Sequence, residues 1–210
     1  MSEYTYKLDN FLFPLIANFK QPKILEFGVQ NGVSTLKFLE LCNKNNGHLF
    51  SADVTDCSNI SNDPRWLFMH SRDDNCEFIK SKIPKKLDVI YLDSVHEASH
   101  VEKIFYNYFE MLEINGYFFI DDISHLPYLK NSQRNNFYCE INNKETFDKI
   151  LEIYNENLDI FELNFVFKSS GLVIIKKTSD FPLKKNNKIR TREKSLRNFI
   201  RLIWKNLKKD

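Results

Sequence analysis

Short apolar runs alternate with amphipathic segments along most of the chain, and this alternation predicts an α/β domain. Five runs have the length and composition of buried parallel strands and cover residues 23–27, 48–53, 66–70, 87–92 and 117–120. Apolar positions at helical spacing predict three helices, over residues 34–42, 97–112 and 144–157. Asn115-Gly116 is expected to end the second of these helices.

Two late apolar runs, over residues 160–167 and 172–176, are separated by a short turn that ends in Gly171. They predict an antiparallel hairpin. Alternating strands and helices closed by such a hairpin imply a mostly parallel sheet with helices on both faces. Ligands of such sheets bind across the carboxyl ends of the strands, so polar residues at those ends are the candidate functional residues.

The bulk composition fits a single soluble domain in a reducing compartment. The chain has 210 residues, enough to bury a sizeable core, and contains no internal repeat. Its four cysteines are scattered without CxxC spacing, which argues against a zinc site and for free thiols. No apolar run spans a bilayer, and the N-terminus lacks the features of a signal peptide. We therefore expect a cytoplasmic protein.

Charge divides the chain into two parts, a domain over residues 1–180 and a basic tail over residues 184–210. The tail contains eleven Lys or Arg and two acids, a net charge of +9, so the remaining residues carry −7 within a total of +2. Its apolar residues recur at helical spacing and form one stripe: Leu196, Phe199, Ile200, Ile203, Trp204 and Leu207. This pattern is typical of a membrane-surface helix, although docking on its own domain or on a sister subunit is slightly favoured. Nucleic acid is a less supported partner.

The first strand leads into a loop with glycines at two positions four apart, Gly28 and Gly32. Gly28 is expected to permit a sharp turn, and Gly32 to let a ligand approach the N-terminus of the following helix. Glu26 is an acid within an apolar strand end, which suggests a cationic partner such as the ammonium group of an amino acid. Asp53 ends the second strand, where it is placed to accept hydrogen bonds from ribose hydroxyls.

With Glu26-x-Gly-x-x-x-Gly-x-Ser and Asp53, residues 20–177 resemble the class I S-adenosylmethionine-dependent methyltransferases. The resemblance implies a Rossmann-like sheet of seven strands in the order 3-2-1-4-5-7-6. It also implies that S-adenosylmethionine contacts the glycine loop, with Asp53 at the ribose and Ser71 or Asp73 near the adenine. The predicted cofactor-binding residues are Glu26, Gly28, Gln30, Gly32, Ser34, Asp53, Ser71 and Asp73.

A second set of polar residues follows the fourth and fifth strands: Asp93, His96, Asp121 and Asp122. Three carboxylates at one sheet edge predict an oxygen-rich site for Mg²⁺ or another divalent cation, and His96 is a base beside it. Each residue also has a structural alternative. Asp121 and Asp122 are as well suited to capping a helix, and His96 to pairing with Glu97 or His100. His125 is a weaker candidate for the base, and His100 is expected at the surface.

Within the superfamily, Asp93-x-x-His96 followed by Asp121-Asp122 is similar to the Mg²⁺-dependent O-methyltransferases that act on sugar hydroxyls in macrolide biosynthesis. Their usual Asp-Gly-Asp-His pattern is here Asp93-Ser-Val-His96. Because Val95 cannot serve as a base, the resemblance assigns that role to His96, with Asp93, Asp121 and Asp122 as the metal ligands.

The long polar segment 123–143 follows the acidic pair and is the predicted substrate lid, with Tyr128, Arg134 and Tyr138 as candidate sugar contacts. A disordered insertion is an equal alternative for any one of them.

The predicted function is metal-dependent methylation of a sugar or glycan hydroxyl. The alternatives are a catechol-like small-molecule acceptor, a membrane-associated binding module without activity, and, with less support, RNA. A homo-oligomer is compatible with each.

Overall fold

The computed structural model describes residues 2–125, 137–188 and 195–207. Seven strands form one sheet: β1 (Lys23–Phe27), β2 (His48–Asp53), β3 (Trp66–His70), β4 (Leu87–Leu92), β5 (Leu112–Asp121), β6 (Phe161–Val166) and β7 (Leu172–Lys177). Their order is β3-β2-β1-β4-β5-β7-β6. β7 is antiparallel to both β5 and β6, and the other neighbours are parallel. The strand order predicted from the sequence is confirmed.

The described ranges contain seven α-helices: α1 (Glu3–Lys7), α2 (Phe13–Ile16), α3 (Val33–Asn45), α4 (Cys76–Lys82), α5 (Ala98–Tyr108), α6 (Phe137–Glu156) and α7 (Leu196–Leu207). A π-helical turn, Leu8–Leu12, joins α1 to α2. These N-terminal helices were not predicted from the sequence. The third predicted helix begins at Phe137, seven residues before the predicted start.

Alternating residues of the central strands build one core on each face of the sheet. Leu25, Ile90 and Phe118 pack on one face with α5 and α6. Their sequence neighbours Ile24, Val89 and Phe119 pack on the other face with α3 and the N-terminal helices. Because a strand presents successive side chains to opposite faces, near-continuous apolar runs are what a sheet covered on both sides requires.

Asn115 and Gly116 do not end a helix, and that prediction is wrong. α5 ends at Tyr108, a 3₁₀ turn follows, and Asn115-Gly116 lies inside β5. The pairing of β4 with β5 shifts register there, from Leu87 opposite Leu112 to Val89 opposite Tyr117. A Cβ on Gly116 would lie 2.8 Å from the Asp88 carbonyl oxygen. The glycine therefore allows β5 to pass close to β4 where their pairing is irregular, and it does not terminate a helix.

All four cysteines are free thiols, as predicted. Within the ranges that the model describes, no helix combines the length and apolarity needed to cross a bilayer.

Candidate functional site

A pocket of about 530 Å³ opens at the carboxyl ends of β1, β2 and β4. Eight of the predicted site residues line it: Gly28, Gln30, Ser34, Asp53, Ser71, Asp73, Asp93 and His96. Four predicted residues lie outside this lining: Glu26, Gly32, Asp121 and Asp122. The fold therefore gathers predicted residues separated by up to 68 positions, from Gly28 to His96, around one cavity.

Asp53 holds the shape of the loop after β1. Its Oδ2 accepts hydrogen bonds from the backbone N–H groups of Val29 at 2.7 Å and Gln30 at 3.0 Å. Its Oδ1 accepts a hydrogen bond from the backbone N–H of Thr55 at 2.8 Å. Burial acts to raise the pKa of Asp53, but these N–H donors hold it below the ordinary value. Gln30 adopts a left-handed conformation (φ 49°), and this bonding helps to hold it there. Asp53 thus fixes the loop and also faces the pocket.

The two glycines of the loop serve close packing. A Cβ on Gly28 would lie 1.9 Å from the Asp93 carbonyl oxygen, so only glycine lets β1 and β4 end side by side here. A Cβ on Gly32 would lie 2.4 Å from a methyl carbon of Ile60. The space above Gly32 is therefore filled by Ile60. The structure thus gives Gly32 a packing role, and its contact with the cofactor stays a prediction.

Glu26 is buried behind the pocket rather than exposed in it. Its carboxylate accepts three side-chain hydroxyl groups, from Ser34 at 2.6 Å, Thr35 at 2.8 Å and Ser51 at 2.7 Å. Burial raises the pKa of Glu26 to about 7, against the lowering effect of these hydrogen bonds. In this structure the cationic partner inferred from the sequence is replaced by three hydroxyl donors. Ser34 connects Glu26 to the pocket, because it also lines the cavity.

Asp73, which also lines the pocket, is buried and accepts hydrogen bonds from neighbouring side chains. His100 Nε2 lies 2.8 Å from Asp73 Oδ2, and Ser94 donates to the same oxygen at 2.5 Å. Burial acts to raise the pKa of Asp73, but the hydrogen bonds from His100 and Ser94 together hold it below the ordinary value. The expectation that His100 is a surface residue is wrong, because its side chain is largely buried against Asp73.

The N-terminal helix brings an ammonium group to the acidic end of β5. Lys7 is fully buried and forms an ion pair with Asp121. Lys7 Nζ also donates to Ser170 Oγ at 2.7 Å and to the Gly171 carbonyl at 3.3 Å. Asp121 accepts a further hydrogen bond from the Tyr91 hydroxyl at 2.9 Å. Asp121 is therefore held by groups of the protein on both of its oxygens.

Tyr4 and Tyr91 connect this ion pair to Asp93. Tyr4 donates to Asp93 Oδ2 at 2.8 Å, and Tyr91 lies 3.2 Å from the same oxygen. Burial raises the pKa of Asp93, and the Asp121 carboxylate raises it further. The other oxygen, Asp93 Oδ1, faces His96.

His96 lies between two carboxylates at the rim of the pocket. Its Nε2 is 3.6 Å from Asp93 Oδ1 and 3.5 Å from Asp122 Oδ2, and its side chain is 30% exposed. Asp122 directly follows β5 in a left-handed conformation (φ 56°), which Asp tolerates better than most residues. An imidazole in this position is accessible to a ligand and has acidic groups on both sides.

These residues fit a divalent cation held by two carboxylates rather than three. Lys7 neutralises Asp121, whereas Asp93 and Asp122 each direct an oxygen at His96 that has no other partner among the described residues. Across the described ranges, no group of three His, Cys, Asp or Glu side chains is arranged to hold a metal ion. Mg²⁺ typically uses one or two protein carboxylates and retains several waters, so a two-carboxylate site is chemically adequate. The three-ligand cage of Asp93, Asp121 and Asp122 stays a prediction.

Sequence comparison identifies the domain that carries this site. A family model described as a methyltransferase domain matches residues 25–123, a range that contains the predicted cofactor and metal residues and His96. Residues 25–123 are therefore a methyltransferase domain. No curated protein sequence matches the chain significantly.

Solved structures with the same fold include three methyltransferases. MycE of the mycinamycin biosynthetic pathway, in complex with Mg and SAH, has a TM-score of 0.61 and 17% identity over 85% of this chain. A Staphylococcus aureus protein assigned as a caffeoyl-CoA O-methyltransferase has a TM-score of 0.62 and 18% identity over 84% of both chains. SAH-bound PaMTH1 of Podospora anserina has a TM-score of 0.60 and 13% identity over 75% of this chain and 72% of its own. This chain spans 53% of MycE. At these identities, the likeness establishes the fold alone.

The predicted lid of the methyltransferase domain falls partly outside the described residues. Tyr128 and Arg134 belong to the part that is not described, whereas Tyr138 lies in α6 with an exposed side chain. His125 packs against Phe147 and Phe167, which surrounds the ring with aromatic side chains. These contacts give His125 a packing role.

Sequence reasoning missed the residues that hold the acidic end of the methyltransferase domain: Tyr4, Lys7 and Tyr91. The spacing of Tyr4, Lys7 and Leu8 is helical, and this signal could have indicated an N-terminal helix. No local pattern indicates that Lys7 pairs with Asp121, which lies 114 positions away.

We expect the Lys7→Met substitution to lower the free energy of unfolding by about 3–5 kcal/mol, because it leaves the Asp121 carboxylate buried without its cation. Adding Asp121→Asn should recover much of that loss, since the buried charge is then absent. Urea denaturation of the two single variants and the double variant measures this coupling. As a matched control, Lys37→Met removes a half-exposed partner of Asp9 and should cost at most about 1 kcal/mol. Strictly additive effects at positions 7 and 121 would contradict the expected coupling.

We expect Glu26 to make stability fall as the pH rises through the interval between the usual glutamate pKa and about 7. The folded protein retains the proton on Glu26 over this interval, whereas the unfolded chain has lost it. Glu26→Gln removes this contribution, so its free energy of unfolding relative to wild type should be higher at about pH 8 than at about pH 5. Urea denaturation at both pH values measures the difference, with exposed Glu113→Gln as the control. The same relative stability at both pH values would contradict the raised pKa.

Proposed function

We propose that this protein transfers the methyl group of S-adenosylmethionine to a hydroxyl oxygen of a sugar or glycan. The observation that carries the proposal is the position of His96, at the rim of the candidate cofactor pocket between the carboxylates of Asp93 and Asp122. The same cavity is lined by the glycine loop and Asp53, the predicted contacts for the cofactor. A base and a methyl donor would therefore share one cavity.

Different residues of the pocket would contact different parts of S-adenosylmethionine. The loop that Asp53 fixes would contact the methionine and ribose parts of the cofactor, with Ser34 beside the methionine part and Ser71 or Asp73 towards the adenine. The sulfonium methyl group would then face the rim where His96 lies. Alignment of the oxygen, the methyl carbon and the sulfur is the orientation effect that the site must supply.

Methyl transfer places a proton on His96. The acceptor oxygen forms a bond to the methyl carbon, the carbon–sulfur bond breaks, and its electron pair stays on sulfur as S-adenosylhomocysteine forms. The neutral imidazole of His96 takes the hydroxyl proton. Asp93 and Asp122 would hold the predicted Mg²⁺, which supplies electrostatic stabilisation of charge developing on the acceptor oxygen. Lys7 and Tyr91 keep Asp121 in place beside this pair.

The type of acceptor is tested by supplying labelled S-adenosylmethionine with saccharides and, separately, with catechol-like phenols. We expect methylated saccharide and S-adenosylhomocysteine in equal amounts. A phenolic acceptor is the second candidate, because the Staphylococcus aureus neighbour assigned as a caffeoyl-CoA O-methyltransferase matches over most of both chains. S-Adenosylmethionine binding without transfer to either class would favour a module without this activity.

We expect His96→Ala to lower kcat by about 10²–10⁴-fold, because the hydroxyl proton loses its acceptor. Binding of S-adenosylmethionine, measured by calorimetry, should change much less than kcat. His48→Ala serves as the control, since His48 is exposed at the opposite end of β2. Activity of His96→Ala close to that of wild type would remove His96 from the mechanism.

We expect EDTA to lower activity and added Mg²⁺ to restore it, because two free carboxylates flank the reacting position. Mn²⁺ binding, measured by electron paramagnetic resonance, gives a readout that does not depend on turnover. Asp93→Asn and Asp122→Asn should weaken Mn²⁺ binding more than Asp121→Asn does, since Asp121 is paired with Lys7. Asp56→Asn, at an exposed carboxylate, is the control. Equal losses in all three site variants would instead favour the three-carboxylate cage, and full activity in EDTA would exclude a required metal.

A further inference from the structure

α7 presents an apolar stripe that the described part of the protein leaves exposed. The side chains of this stripe whose burial is described are between 43% and 75% exposed: Leu196, Phe199, Ile200, Ile203 and Trp204. Their spacing of three and four residues puts them along one side of the helix. Scattered exposed apolar residues are ordinary, but an aligned stripe that ends in tryptophan calls for a partner.

The charge beside the stripe limits what that partner is. Arg197 and Arg201 are one turn apart on the adjoining face, and Lys205 and Lys208 continue the same spacing in the sequence. Residues 184–210 carry a net charge of +9. An apolar stripe bordered by cations is complementary to a partner that has an apolar layer beneath an anionic surface. A bilayer containing acidic phospholipids has both properties.

We propose that α7 binds the surface of an anionic lipid bilayer, with its apolar stripe in the interface and its basic face at the lipid phosphates. The twelve-residue helix is about 18 Å long, shorter than the roughly 30 Å apolar layer of a bilayer, so it lies along the surface rather than across it. Trp204 suits the boundary between the headgroups and the acyl chains, because its ring is apolar and its indole N–H is a hydrogen-bond donor. This surface is independent of the methyl-transfer site.

Other partners fit the stripe less well. Docking on its own domain would bury the apolar residues, and they are exposed in the described structure. A symmetric contact between two copies of α7 would bring two basic faces close together, which like-charge repulsion opposes. A nucleic acid would engage the cations but would leave the apolar stripe in water. The bilayer satisfies the stripe and the charges together.

The test is co-sedimentation of the full-length protein with phospholipid vesicles. We expect binding to phosphatidylcholine vesicles that contain phosphatidylglycerol, and much weaker binding to phosphatidylcholine alone. High salt should weaken binding to the anionic vesicles. The fluorescence of Trp204 should shift to shorter wavelength on binding. The Trp204→Phe variant retains only the half-buried Trp66, so the shift should be lost in that variant.

Two pairs of substitutions separate the contributions of the stripe and the charges. Phe199→Ser with Ile203→Ser removes apolar contact at constant charge and should weaken vesicle binding at least about tenfold. Arg197→Gln with Arg201→Gln should weaken binding to anionic vesicles and leave the weak binding to neutral vesicles unchanged. Phe181→Ser is the matched control, because Phe181 is equally exposed but lies outside α7. Unchanged thermal unfolding and S-adenosylmethionine binding would show that the variants are folded.

Three outcomes would overturn the proposal. The first is binding of the Phe199/Ile203 variant that equals wild type, and the second is absence of binding to anionic vesicles. The third is that the wild-type protein forms a dimer or an RNA complex instead of binding vesicles, and that the substitutions in α7 abolish that complex. Methyl transfer assayed without lipid is a separate readout, so failure of the membrane proposal and failure of the proposed function are distinguishable.

Discussion

The buried ion pair between Lys7 and Asp121 is the constraint on which the arrangement of the site depends. A buried carboxylate and a buried ammonium group are each costly alone, so neither can move without exposing or stranding the other. Since Lys7 belongs to α1 and Asp121 ends β5, the pair fixes the N-terminal helices against the carboxyl end of the sheet. Tyr4 and Tyr91 extend the same network to Asp93.

This network gives three neighbouring carboxylates different surroundings. Asp121 has both oxygens occupied, whereas Asp93 and Asp122 keep oxygens that face His96. The consequence is an asymmetric acidic site, in which one carboxylate supports the fold and two are available for chemistry. The cofactor side of the pocket follows the same principle, because Glu26 and Asp53 hold the loop through hydroxyl and N–H donors.

Local patterns were sufficient to predict the strands because each is a short, nearly continuous apolar run. The mostly parallel sheet and the closing hairpin then follow from the alternation of elements, whereas the strand order was implied by the resemblance to class I methyltransferases. The predictions from the sequence were wrong where the same residue type is found in two different structural settings. Asn115-Gly116 is as typical of a strand irregularity as of a helix end, and only its pairing with β4 decides between them. His100 has the spacing of a surface residue, but Asp73 from a distant segment buries it.

The sequence by itself determined which chemical groups stand at the carboxyl ends of the strands, because strand ends are local features of the chain. It therefore identified Asp53, Asp93 and His96, which meet at one pocket. Only the tertiary structure decided how those groups are partnered. Lys7 reaches Asp121 across 114 positions, and Ile60 fills the space over Gly32, through contacts that no local pattern encodes. The physical reason is that burial and hydrogen bonding are set by whatever the fold brings alongside a group, and these neighbours determine whether a carboxylate supports the structure or remains free to bind.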